Sequence, residues 1–124
     1  MIARVWTGWT TPEGADAYEH TLRSVILPRF ESHFDADGYL GTDTYRREDT
    51  EGPDGSNETE FMTVLFFDSE QALRAGVGAA VGEDPTVAHL PPESKQHLKR
   101  WEERARHFGV RQQRDDSMSA GAQG

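Results

Sequence analysis

A chain of 124 residues, 35% hydrophobic and 10% aromatic, has the length of one ordinary domain with a single core. It holds no cysteine, which excludes disulfides, thiolate metal sites, iron–sulfur clusters and cysteine nucleophiles. The formal net charge of −9 argues against a nucleic-acid partner, and the acidic balance, with Lys95 and Lys99 as its lysines, fits a halophilic surface kept soluble in concentrated salt.

No basic region followed by an apolar stretch opens the chain, and no window approaches the ~20 apolar residues needed to cross a bilayer. The expectation is a soluble cytoplasmic protein without membrane contact. The first segment, "IARVWTGWT" at residues 2–10, reads as a β-strand. Because strand side chains alternate with period two, Trp6 and Trp9 leave opposite faces of it.

"TTPEGADAYEH" carries a helix start, with Thr11 as a cap, Pro12 at the first helical position and Glu13 and Asp16 in the first turns. Ala15, Tyr18, Leu22, Val25, Ile26, Phe30 and Phe34 then recur every three or four residues, the pattern of one buried face. Pro28 is expected to interrupt and bend this helix. A turn at Asp37-Gly38 leads into a second strand, with Tyr39, Gly41, Asp43 and Tyr45 on one side and Leu40, Thr42, Thr44 and Arg46 on the other. Residues 48–60, "EDTEGPDGSNETE", read as a polar connecting loop, and "EFMTVLFFD" returns as an apolar third strand.

Asp68 is expected to begin the next helix, with Gln71 as capping-box partner and Ala72, Leu73, Val77 and Ala80 inward. In "GEDPTVAHLPP" three prolines prevent regular structure, and His89 stands among apolar neighbours. A short helix from about Pro92 is expected to carry Leu98 and Trp101 inward. "RARHFGVRQ" alternates as a fourth strand, and residues 112–124 have little to bury and read as a disordered tail.

The order β-α-β-β-α-β is the ferredoxin-like arrangement, an α+β fold with an antiparallel four-stranded sheet. Helices on one face leave the other bare, and an apolar bare face calls for a partner. With Trp6 and Trp9, and again Phe66 and Phe67, giving one aromatic to each face, the expectation is a homodimer packed sheet against sheet.

"IARVWTGWT" before "PEGADAYE", "ILP" inside the first helix, "FMTVLFFDSEQALRA" and "LPPESKQHLKRWEERARHFGVR" together cover residues 1–111. On these segments the chain resembles the antibiotic biosynthesis monooxygenase superfamily of dimeric α+β barrels. The resemblance implies a ferredoxin-like subunit, a dimer formed through the sheets and a pocket between sheet and helices. It also implies a choice among cofactor-free oxygenases of aromatic molecules, haem-degrading enzymes, small-molecule isomerases and proteins without known activity, and the fold alone does not make that choice. The Asn, Trp and His set of the haem-degrading members has no counterpart at matching positions.

Among titratable residues His107 stands out, on a strand between the small residues Ala105 and Gly109 with room around its ring. His89 lies in a loop that can close over a pocket. His20, His33 and His97 fall beside charged neighbours as solvated helix residues, and none of the five histidines has metal-ligand spacing. Arg4, between Ile2 and Trp6 on its strand, is a candidate to bind a carboxylate or enolate, and Tyr18, Tyr45 and Phe66 are candidates to line an apolar pocket. The blander assignments are a core or interface histidine, an ion pair across the dimer, and ordinary core aromatics. "GVGAAVG", "DTEGPDGSNETE" and Asn57-Glu58-Thr59 fail as dinucleotide loop, calcium loop and glycosylation site respectively.

The expected function is therefore a cofactor-independent, metal-free monooxygenase-like reaction on a small aromatic or apolar molecule. In it His107 or His89 takes the proton, Arg4 and Trp6 hold the anion, and Tyr18 and Phe66 contact the substrate. A non-catalytic ligand-binding dimer and an isomerase or decarboxylase are the alternatives.

Overall fold

The computed structural model describes residues 1–33, 38–81, 84–88 and 90–114. Strand β1 (Ile2–Thr10) forms where its alternation predicts and pairs antiparallel with β3 (Asn57–Phe67) from Ile2↔Phe67 to Thr10↔Thr59. Outside β3 lies β2 (Tyr39–Glu51). The other edge of β1 holds β4 (Arg100–Trp101) and β5 (Arg106–Gly109). The sheet order β2-β3-β1-β4, with β5 also on β1, is ferredoxin-like, with five strands where four were expected. The strand expected in "RARHFGVRQ" forms as β5, and the extra β4 comes from the stretch expected as helix; the segment between them pairs elsewhere: Val87 bridges Arg104, the Ala105 N–H donates to the Thr86 carbonyl, and the Ala88 N–H donates to the Glu103 carbonyl.

Helix α1 (Ala15–Thr21) runs through a π-helical turn (Leu22–Ile26) into α2 (Leu27–His33). The predicted stripe is buried at Ala15, Tyr18, Leu22 and Ile26; Phe34 lies outside the described residues. Pro28 does not break the helix. The chain widens just before it, with the Leu27 N–H reaching the Leu22 carbonyl, and Pro28 then sits in the first turn of α2, where a missing N–H costs least. Thr11 caps the turn before the helix, its Oγ1 accepting the Gly14 N–H at 3.1 Å.

Helix α3 (Glu70–Val81) is capped one residue later than expected, by Ser69 Oγ, which accepts the Ala72 N–H at 3.1 Å. Asp68 instead closes the sheet end, its N–H donating to the Gly38 carbonyl at 2.7 Å. Helix α4 (Pro92–Lys95) stops before the Leu98 and Trp101 assigned to it. There the Lys99 N–H bonds to the Trp9 carbonyl at 2.7 Å and the Glu102 N–H to the Thr7 carbonyl at 2.9 Å, so the sheet captures the chain. Leu98 and Trp101 still face the core.

The largest correction concerns residues 48–60. The ladder of β2 and β3 continues through Thr50↔Glu58 and Glu51↔Asn57, leaving only residues 52–56 as the tip. A bulge between Arg47 and Thr50, with Asp49 at φ 58°, absorbs the irregularity. Polar composition misleads here because Glu58, fully buried, is held by Arg100 at 2.9 Å and Lys99 at 3.1 Å. Gly52 is required beside it, since a Cβ there would stand 2.5 Å from the Glu58 carboxylate.

Sheet register settles the two faces. Phe61, Leu65 and Phe67 of β3 pack into the helices in two clusters, one with Ala15, Tyr18, Leu22, Ile26 and Leu98 and one with Leu73 and Val77. Their partners on β1 are Gly8, Arg4 and Ile2, so the even-numbered residues of β1 face the helices and Ala3, Val5, Thr7 and Trp9 face away. The register shift between Tyr39 and Gly41 puts Tyr39 on the helix side and Gly41 on the other, which corrects the uniform alternation expected from residue 39.

Candidate functional site

Between the helix-facing side of the sheet and the helices lies a cavity of about 110 Å³. Its apolar wall comes from the π turn, α2, α3 and β3, through Leu22, Ile26, Phe30, Leu65 and Val77. Polar groups reach it from Arg4 and Trp6 on β1, Tyr18 on α1, Thr63 on β3 and Ser94 on α4, and Ala88, Leu90 and Pro91 close one side. The closing loop is pinned to the sheet by the bridge at Val87 and by Arg104, which pairs with Asp84.

Arg4 is 8% exposed. Its Nη2 donates to the carbonyls of Pro85 at 3.4 Å and Val87 at 3.3 Å, while its buried Nε has no hydrogen-bond partner. Burial pushes its guanidinium down to about 10, still charged at neutral pH, because water that would solvate the cation is gone. Trp6 donates Nε1 to the Glu102 carbonyl at 2.7 Å, which fixes its indole as a wall. Tyr18 stacks edge-on to Phe61 with centroids 4.9 Å apart. Burial pushes its phenol up to about 12, so it stays protonated and can donate.

His107 lies directly opposite Arg4 in the β1–β5 ladder, so the two side chains share the helix-facing side. Its Nε2 is buried and unpartnered. Burial first, and then the Arg4 charge, hold its imidazole below the ordinary value. It is therefore neutral at pH 7, the form in which a ring nitrogen can accept a proton.

The structure thus brings Arg4, Trp6 and Tyr18 to one cavity and sets His107 beside Arg4, just outside the cavity wall. Phe66 is not brought there. It pairs with Ala3 and leaves the opposite side of the sheet, as period two demands once Phe67 is inside, and Tyr45 is on that side too, half exposed. His89 lies outside the described residues. Thr63 and Ser94 went unnoticed in the sequence; the parity of β3 would have flagged Thr63, whereas nothing local marks Ser94. Among the described residues no group of three His, Asp or Glu side chains gathers to hold a metal.

The helix-free side is more mixed than two tryptophans suggest. Trp9 donates Nε1 to Glu60 at 3.1 Å, and Arg100 lies 3.7 Å above its ring, an arrangement in which the indole is covered by its own chain. Leu40, Tyr45 and Phe108 remain about half exposed around Phe66.

No protein-family model matches the sequence, and no curated protein matches it. Among solved structures, a provisionally assigned antibiotic biosynthesis monooxygenase from Bacillus cereus superposes with a TM-score of 0.55 at 12% identity, covering 93% of this chain and 95% of that one. The likeness is one of fold. The cavity lies where the resemblance implied, between sheet and helices. Among the described residues no helix is long and apolar enough to cross a membrane.

Proposed function

We propose that the protein is a cofactor-independent monooxygenase-like enzyme acting on a small, single-ring aromatic or similarly compact apolar molecule. The observation that carries this reading is a buried arginine, unpaired at Nε, on the wall of an otherwise apolar cavity, with a neutral histidine beside it. An acidic substrate hydroxyl or enol gives its proton by way of one water to His107 behind the wall, and the resulting anion is held by Arg4 against the indole of Trp6. The electron-rich anion reduces dioxygen; with a quinol, one oxygen atom replaces a ring hydrogen as a hydroxyl while the ring is oxidised to the hydroxyquinone, and the other oxygen atom leaves as water. Size limits the ligand to one ring, since an engineered cavity of roughly 150 Å³ binds benzene and 110 Å³ is of the same order. His89 is retained as a second proton acceptor, on its position in the loop sequence.

The subunit is proposed to work as a homodimer through the helix-free side of its sheet, supported by the half-exposed Leu40, Tyr45 and Phe108 there; sedimentation as a lone subunit would remove this part. The chemistry is tested by oxygen uptake with single-ring quinols in wild type, His107→Ala and His89→Ala. A rate unaffected by both substitutions removes their assignment. Saturable binding without oxygen uptake or product would favour the reading as a non-catalytic binder.

A further inference from the structure

Among the described residues two buried side-chain nitrogens have no hydrogen-bond partner, Arg4 Nε and His107 Nε2, and they belong to residues paired across one ladder. A buried cation is ordinarily matched by a carboxylate, because an uncompensated charge away from water is costly. The other buried charge among the described residues is compensated: Glu58 meets Arg100 and Lys99. Among the described residues Arg4 is met by the two carbonyls of the closing loop and by no carboxylate. Its position on the cavity wall means that the missing charge can come from a ligand.

The charges facing His107 are Arg4 on β1, Arg74 and Glu70 on α3 and Asp84 in the closing loop. The two arginines oppose an imidazolium and the two carboxylates favour it. An anion at Arg4 cancels the larger of the opposing charges and so favours proton binding at His107. The final charge state, anion plus imidazolium beside Arg4, is the one that an acidic substrate reaches by giving its own proton to His107.

We propose that the cavity selects small organic anions, a single-ring carboxylate being the simplest, and that such a ligand seats its charge at Arg4 Nε while His107 takes up one proton from solvent. This rests on the cavity being the ligand site, and it adds a ligand class and a proton inventory to it. By linkage, a group that gains a proton on binding makes binding tighten as pH falls below its bound-state value toward its free-state value. The carboxylate itself stays ionised above about pH 5, so the ligand does not supply the effect.

The test titrates the wild-type protein with benzoate and with benzyl alcohol, following tryptophan fluorescence and the heat of binding in buffers of different ionisation enthalpy. Benzoate is expected to bind at least tenfold more tightly than the alcohol, to tighten between about pH 8 and pH 6, and to draw a proton from the buffer. His107→Gln is expected to keep benzoate binding and lose the pH dependence, and Arg4→Gln to lose the preference over the alcohol. Equal affinity for the two probes overturns anion selection while leaving the cavity as a ligand site. Failure of both to bind overturns both readings, and a benzoate preference without proton uptake overturns the role given to His107.

Discussion

Two charged side chains sealed inside this small domain have opposite surroundings. Glu58, near the hairpin tip, is fully buried and held by two cations, Arg100 and Lys99. Arg4, at the cavity, is nearly as buried and among the described residues has no carboxylate, only two loop carbonyls and an Nε left open. The first arrangement holds two strands together; the second leaves an electrostatic demand that a ligand can meet. A buried charge therefore points to function when its partner is missing, and to architecture when the partner is present.

The contrast is open to test, beginning with the side chain that stands between the two regions. Phe61 packs on Tyr18 at the cavity and lies under Arg46, 5.5 Å from its ring. Phe61→Ala is expected to cost about 4 kcal/mol in denaturant unfolding and to enlarge the cavity at the same time. Glu58→Ala comes next, at about 2 kcal/mol, below the cost for a fully desolvated pair because Arg100 and Lys99 each keep about a third of their side chains in water. Its cations hold the Glu58 carboxyl below the ordinary 4.5. The stability it confers is present above that pH and is lost as pH falls below it, so wild type and variant should converge in acid.

Arg4→Met should behave in the opposite sense. With no ion pair to break, its unfolding free energy should stay within about 1 kcal/mol of wild type, yet benzoate binding and turnover should disappear; a loss as large as that of Glu58→Ala would make Arg4 a structural element after all. The smallest effect belongs to His107. Its folded-state value lies below the ordinary 6.5, so the unfolded chain takes up protons first and stability declines as pH falls through that range. Chemical denaturation of His107→Gln should lack that decline, whereas an equal slope in both proteins would show that His107 does not titrate as described.

Much of this was legible in the chain. The alternation of "IARVWTGWT" gave opposite faces to the two tryptophans, and the three-and-four spacing from Ala15 to Ile26 marked the buried side of the first helix, because strand and helix periods are local consequences of backbone geometry. The hairpin was misjudged for a physical reason: Glu58 and Thr59 look like loop residues until Arg100, far along the chain, is seen to neutralise one and the ladder to bury both. Phe66 was placed in the cavity on aromatic character alone, which ignores parity, and the short helix after Pro92 was extended past the point where the sheet recaptures the chain.

The sequence by itself determined the order of elements, the ferredoxin-like sheet and the presence of Arg4 and His107 on strands, since each rests on periodicity or residue chemistry within a few neighbours. Only the tertiary structure decided that these two residues stand opposite each other, and that the cation has no anion. Register and charge compensation are set by segments about a hundred residues apart, and nothing in the spacing of one strand records which side chain of another will face it.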